Sequence, residues 1–88
     1  MHIGEALMPR PDAIERARAG LLETMARNEM YYAKRPGSRP VPANVLEDRI
    51  SADDTWIYIP FGREDASAKP IVVRVNGVTK SVSIEQAF

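Results

Sequence analysis

Residues 71–84 read Ile-Val-Val-Arg-Val-Asn-Gly-Val-Thr-Lys-Ser-Val-Ser-Ile. Two β-branched runs meet at Asn76-Gly77, and this pair limits the fold more tightly than any other stretch of the chain. A two-residue hairpin loop favours a type I′ turn, whose twist matches that of the flanking strands. The turn needs positive φ at both central residues, and Asn followed by Gly supplies it at least steric cost. With that loop, Val75 faces Val78, Val73 faces Lys80 and Ile71 faces Val82. Side chains alternate along a strand. One face then carries Ile71, Val73, Val75, Val78, Val82 and Ile84, with Lys80 as its polar member. Val72, Arg74, Thr79, Ser81 and Ser83 lie on the other. A lone hairpin is marginal in water, so a third strand or a helix must cover the apolar face.

The helix is expected over residues 12–34. Asp12 and Glu15 have the spacing of a capping box, and Arg35-Pro36-Gly37 stops the run. At about 100° per residue, Ile14, Leu21, Met25 and Tyr32 share one stripe, flanked by Ala17 and Asn28. Arg16, Glu23, Arg27 and Lys34 lie opposite. Met25 and Met30 read as packing residues. Residues 1–11 form an arm ahead of this helix, separated from it by Pro9 and Pro11.

Residues 36–42 hold three prolines and read as an extended connector. Asn44 and Glu47 again have capping spacing, so a turn or two of helix is expected up to Ile50. Residues 51–54 read as a turn. Residues 55–61, Thr-Trp-Ile-Tyr-Ile-Pro-Phe, form the further strand. Ile57, Ile59 and Phe61 face one way, and Trp56 and Tyr58 the other. Pro60 cannot donate to a ladder, which places this strand at an edge or ends it there. The arm and the connector carry too few apolar residues to offset their own ordering entropy, so their order is expected to depend on neighbouring chains.

The chemistry-bearing residues are sparse. The chain is 88 residues long with twelve basic and twelve acidic groups, so no net charge draws it to nucleic acid or an anionic membrane. It has one histidine, His2, and no cysteine. That excludes a disulfide framework and a thiolate metal site, and no serine or cysteine nucleophile is implied near His2. Glu47, Asp48, Asp53 and Asp54 form an acidic cluster without the glycine or the regular spacing of a calcium loop. They read as solvated carboxylates around a turn. Catalysis, a metal and a cofactor are therefore not expected. No apolar run approaches a membrane span, and residues 1–5 lack signal-peptide features. A cytoplasmic or virion location is expected. Lys34, Arg35 and Arg39 beside Tyr31 and Tyr32 make a small basic-aromatic patch, a weak candidate for nucleic-acid contact. The stronger candidates are partner-binding residues. Trp56, Tyr58 and Arg74 share a face, and Trp, Tyr and Arg are over-represented at interface hot spots. Ile3 and Leu7 on the arm and Phe88 at the end are apolar groups that can dock on a partner.

The expected fold is α+β: one long N-terminal helix packed on a three-stranded antiparallel sheet, residues 55–61, 71–75 and 78–84, ending in the Asn-Gly hairpin. Residues 12–88 form one small domain. The segment Val73-Arg74-Val75-Asn76-Gly77-Val78 resembles a hairpin common in small structural proteins of tailed-phage particles, where an apolar-basic strand turns at Asn-Gly into a second strand. That resemblance implies a non-catalytic interaction module whose partners are other protein chains in a multi-subunit assembly. The alternative is a small inhibitor that blocks a host enzyme complex, as phage-encoded anti-CRISPR proteins do.

Overall fold

The structure is a computed structural model that describes residues 8–84. The first helix, α1 (Arg10–Arg27), begins two residues before Asp12. Pro11 sits in its first turn, where a missing N–H leaves no bond unmade. Asp12 lies inside that turn, near the positive end of the helix dipole, and the expected capping box does not form. The single helix over 12–34 is corrected as well: α1 stops at Arg27, and a separate α2 (Glu29–Ala33) follows. Asn28 makes the break. Its side-chain Nδ2 donates to the Thr24 carbonyl at 2.8 Å, and its backbone N–H is shared between the Thr24 and Met25 carbonyls. Its own backbone leaves the helical region, at φ −117° and ψ 26°. A short amide side chain competing for backbone acceptors is the ordinary way that Asn weakens a helix.

The stripe that α1 buries is built on Ala13, Ala17 and Leu21, each fully inaccessible. Ile14 and Met25 pack half-buried beside them, and Tyr32 of α2 is buried. Met30 is 73% exposed, so it is not a packing residue.

Beneath α1 lies a five-stranded antiparallel sheet: β1 (Pro40–Val45), β2 (Ser51–Ala52), β3 (Trp56–Arg63), β4 (Ile71–Asn76) and β5 (Val82–Ile84). The order across the sheet is β1-β3-β4-β5, and β2 pairs with β3 on the same side as β1. Ile57, Ile59 and Phe61 of β3 and Ile71, Val73 and Val75 of β4 form the core under α1, none more than 5% exposed. Two details show how closely the helix sits. The Nε of Arg18 donates to the Pro42 carbonyl at 2.9 Å, which ties α1 to β1. A Cβ on Gly20 would lie 2.7 Å from Cγ1 of Val82, so only a glycine lets α1 approach β5 this far.

The three expected strands thus become part of five. The connector over 36–42 is in part β1. Pro40 starts that strand, where its missing N–H breaks no ladder, and it is fully buried. The ladder continues outward through Glu64 N–H to the Arg39 carbonyl and Asp65 N–H to the Gly37 carbonyl, both 2.9 Å. The helix expected up to Ile50 shrinks to one 3₁₀ turn, Glu47–Arg49, with Leu46 rather than Asn44 ahead of it.

Pro60 is interior to β3, not at its end, and β3 itself is flanked on both sides. The register explains how a proline fits. Val45 pairs with Phe61, and Ser51 pairs with Tyr58. Only Ile59 and Pro60 lie between those two β3 residues, whereas residues 46–50 lie between their partners. The 3₁₀ arc therefore swings away from β3 beside Pro60, and no strand asks for the missing donor. The carbonyl of Pro60 still accepts from Leu46 N–H at 3.0 Å.

The hairpin also differs from the two-residue type I′ turn. Val75 pairs with Val82 and Val73 with Ile84. Asn76 N–H donates to the Ser81 carbonyl at 2.8 Å, so the loop spans residues 77–80. Asn76 organises it with its side chain: Oδ1 accepts from the N–H groups of Val78 and Thr79, both at 2.9 Å. Gly77 is buried, and its N–H donates to the Thr55 carbonyl at 2.8 Å. The positive φ, 69°, falls on Lys80 instead. Val78, expected in the core, is 59% exposed.

Candidate outer-face binding site

The face of the sheet turned away from α1 carries the residues of interest. Strand alternation places Trp56, Tyr58 and Pro60 of β3 there, beside Val72 and Arg74 of β4. Tyr58 pairs directly with Arg74, Pro60 with Val72, and Arg74 with Ser83 of β5. Trp56, Tyr58, Val72 and Arg74 are all half-buried. The Arg74 guanidinium lies 4.8 Å above the Trp56 ring, within cation–π range. Its Nη2 donates to Ser83 Oγ at 3.2 Å, while its Nε is buried without a partner among the described residues. Arg74 packs on the indole.

Asp53 fixes the near end of this face. Its Oδ1 accepts from the backbone N–H groups of Trp56 at 2.7 Å and Thr55 at 2.9 Å, and its Oδ2 accepts from the Tyr58 hydroxyl at 2.8 Å. The Trp56 and Thr55 N–H groups, then the Tyr58 hydroxyl, hold its carboxyl below the ordinary aspartate value. Sequence reasoning had grouped Asp53 with Glu47, Asp48 and Asp54 as solvated carboxylates. The structure gives Asp53 a positioning role on the aromatic pair.

Across the middle of the face runs a groove of about 470 Å³. Its floor is Tyr58, Pro60, Pro70 and Val72, and Arg49 and Lys69 stand on its rim. Ser51 of β2 completes the lining. The groove exists because the 3₁₀ arc retracts beside Pro60. Arg49 comes from that arc and Lys69 from the loop before β4, so neither follows strand alternation, and sequence reasoning missed both. The available signal was parity: Pro60 follows Trp56 and Tyr58 at the same two-residue spacing.

The basic-aromatic patch is assembled but internally engaged. Arg35 stacks 3.8 Å from the centroid of Tyr31, which itself meets Tyr32 edge-on at 5.5 Å. Arg39 makes a two-pronged ion pair with Glu29 at 2.8 and 2.9 Å. The hydrogen bond from Arg39 lowers the Glu29 pKa and, reciprocally, raises that of Arg39. Burial pushes the Tyr32 phenol up. Lys34 is exposed beside them, at the end of α2.

Ile3, Leu7, His2 and Phe88 lie outside the described residues. Met8 packs half-buried against the core. Among the described residues, no three His, Cys, Asp or Glu side chains are grouped to hold a metal ion. No helix among them is long and apolar enough to cross a membrane. No protein-family model matches the chain, nor does any curated protein or solved structure.

Proposed function

We propose that this chain is a non-catalytic protein–protein interaction module, serving as a small structural or accessory component of a large assembly such as a phage particle. The observation that carries the proposal is the one-sided packing. Helix α1 covers one face of the sheet, while the other keeps Trp56, Tyr58 and Arg74 half-exposed in adjacent positions. These residue types dominate interface hot spots because they bury large area and make directional polar contacts. The Arg74–Trp56 stack and the Asp53–Tyr58 bond hold the side chains in place before any partner arrives, which reduces the entropy lost on binding. The choice of a phage-like assembly rests on the sequence resemblance of residues 73–78 alone, since the observed loop spans residues 77–80 rather than turning at Asn76-Gly77.

The test is affinity purification of the tagged chain from its native source, with Trp56→Ala and Arg74→Ala beside Glu23→Ala on the exposed side of α1. A discrete set of partners should survive Glu23→Ala and be lost in the two outer-face variants. Recovery in many copies with particles supports a structural component. Full recovery with Trp56→Ala would place the binding surface elsewhere.

A further inference from the structure

We propose that the outer-face groove binds a partner segment in which an apolar residue is flanked by aspartate or glutamate. This rests on the interaction-module reading and names the chemistry its partner must carry. The floor offers little to a polar ligand. Pro60 and Pro70 have no N–H, Val72 is aliphatic, and the Tyr58 hydroxyl is already committed to Asp53. An apolar side chain or a proline ring fits such a floor, as in grooves that read extended peptides.

The rim supplies the specificity. Arg49 and Lys69 line the groove, and no carboxylate does. The chain as a whole has equal numbers of acidic and basic groups, so this is a local separation of charge. Several surface cations are engaged elsewhere, whereas Arg16, Lys34 and Lys80 are exposed like Arg49 and Lys69 and differ in not lining the groove. Arg18, Arg27 and Arg39 are each ion-paired, and Arg63 donates to the Ser38 and Lys69 carbonyls. The side chains of Arg49 and Lys69 are exposed and make no hydrogen bond or ion pair among the described residues. Rim charges of this kind select partners by sign and speed their encounter.

A nucleic-acid strand fits less well. It brings a phosphate with every nucleotide and would set one beside the Asp53 carboxylate, 2.8 Å from the Tyr58 hydroxyl. The Trp56 ring, which a base would stack on, already carries Arg74. A peptide places its carboxylates only where the cations stand.

The test uses a fluorescein-labelled peptide, Glu-Glu-Pro-Leu-Pro-Glu-Glu, a control with lysine at each glutamate, and a deoxythymidine oligomer. Binding is read by anisotropy and by amide chemical shifts of the labelled protein. The acidic peptide should bind, shift Ser51, Tyr58 and Val72, and weaken with added salt. Arg49→Glu with Lys69→Glu should weaken it by roughly tenfold and favour the lysine peptide instead. The paired glutamine variant, Arg49→Gln with Lys69→Gln, should show no preference, and both pairs should keep the wild-type thermal midpoint because these side chains are exposed. The inference is overturned by equal binding of the two peptides, by shifts confined to other surfaces, by preference for the oligomer, or by groove shifts that follow protein concentration alone. Native partners that survive the charge reversal but not Trp56→Ala would sink the groove assignment and leave the module standing. Partners indifferent to both would sink the two together.

Discussion

The two faces of the sheet are made by the same strands and do different things. Towards α1, Ile57, Ile59, Phe61, Ile71, Val73 and Val75 are at most 5% exposed and pack on Ala13, Ala17 and Leu21. Away from α1, the alternating residues are Trp56, Tyr58, Pro60, Val72 and Arg74. An antiparallel sheet with one solvated face ordinarily reads polar on that face. This one sets Trp56, Tyr58, Pro60 and Val72 among the polar Arg74, Asn76 and Ser83, and that mixture is what marks it. Stability resides on the face under α1, so the other can keep large aromatic groups half-exposed without endangering the fold. Single-sided packing therefore separates the part of the molecule that folds from the part available for contact.

Substitutions on either side should expose the contrast. The largest effect belongs to the covered face. Phe61→Ala should cost about 3–5 kcal/mol, in line with truncation of a buried aromatic. Tyr58→Ala, three residues away on the open face, should cost only ~1 kcal/mol, the scale of one lost hydrogen bond. Urea denaturation of both variants measures the difference. Equal costs would mean that the faces are not energetically distinct.

A second contrast is in pH. The Asp53 carboxyl has its pKa lowered in the folded state, chiefly by the Trp56 and Thr55 N–H groups. Such a group stabilises the fold above its unfolded pKa, and that contribution is lost as pH falls through the lower folded value. Asp53→Ala should therefore reduce the thermal midpoint at neutral pH, with the gap to wild type narrowing below about pH 4. The gap produced by Phe61→Ala, which involves no titrating group, should persist there. Calorimetric scans across that range decide it.

The smallest effect is in the loop that sets the register of both faces. Lys80 holds a φ of 69°, which costs a side-chain-bearing residue free energy that glycine avoids. Lys80→Gly should raise stability by ~1 kcal/mol or less, the unfolded chain's greater freedom offsetting part of the gain. A lowered denaturation midpoint would place the strain elsewhere.

Much of the covered face was legible because alternation is robust. The observed pairing of Val75 with Val82 shifts the expected hairpin register by four residues, an even number, so Val82 and Ile84 remain on the side of Val73 and Val75. The turn was misread because Asn76 serves the loop through its side chain rather than through its backbone. β1 was hidden by Pro40 and Pro42, which look like connector residues until the partner strand is known. The break at Asn28 was hidden by a stripe that continues through Tyr32 across it. At the site, Trp56, Tyr58 and Arg74 were readable from strand parity. Arg49 and Lys69 were not, since a 3₁₀ arc and a loop bring them to the groove and neither has a period to read.

The claim that the uncovered sheet face is where this molecule meets its partner is most directly tested by site-specific photo-crosslinking in the native source. A photoreactive phenylalanine analogue would replace Tyr58 in one variant and Glu23, on the exposed side of α1, in another. The account predicts a discrete protein adduct at position 58 and none at position 23. An adduct at 23 with none at 58 would contradict it.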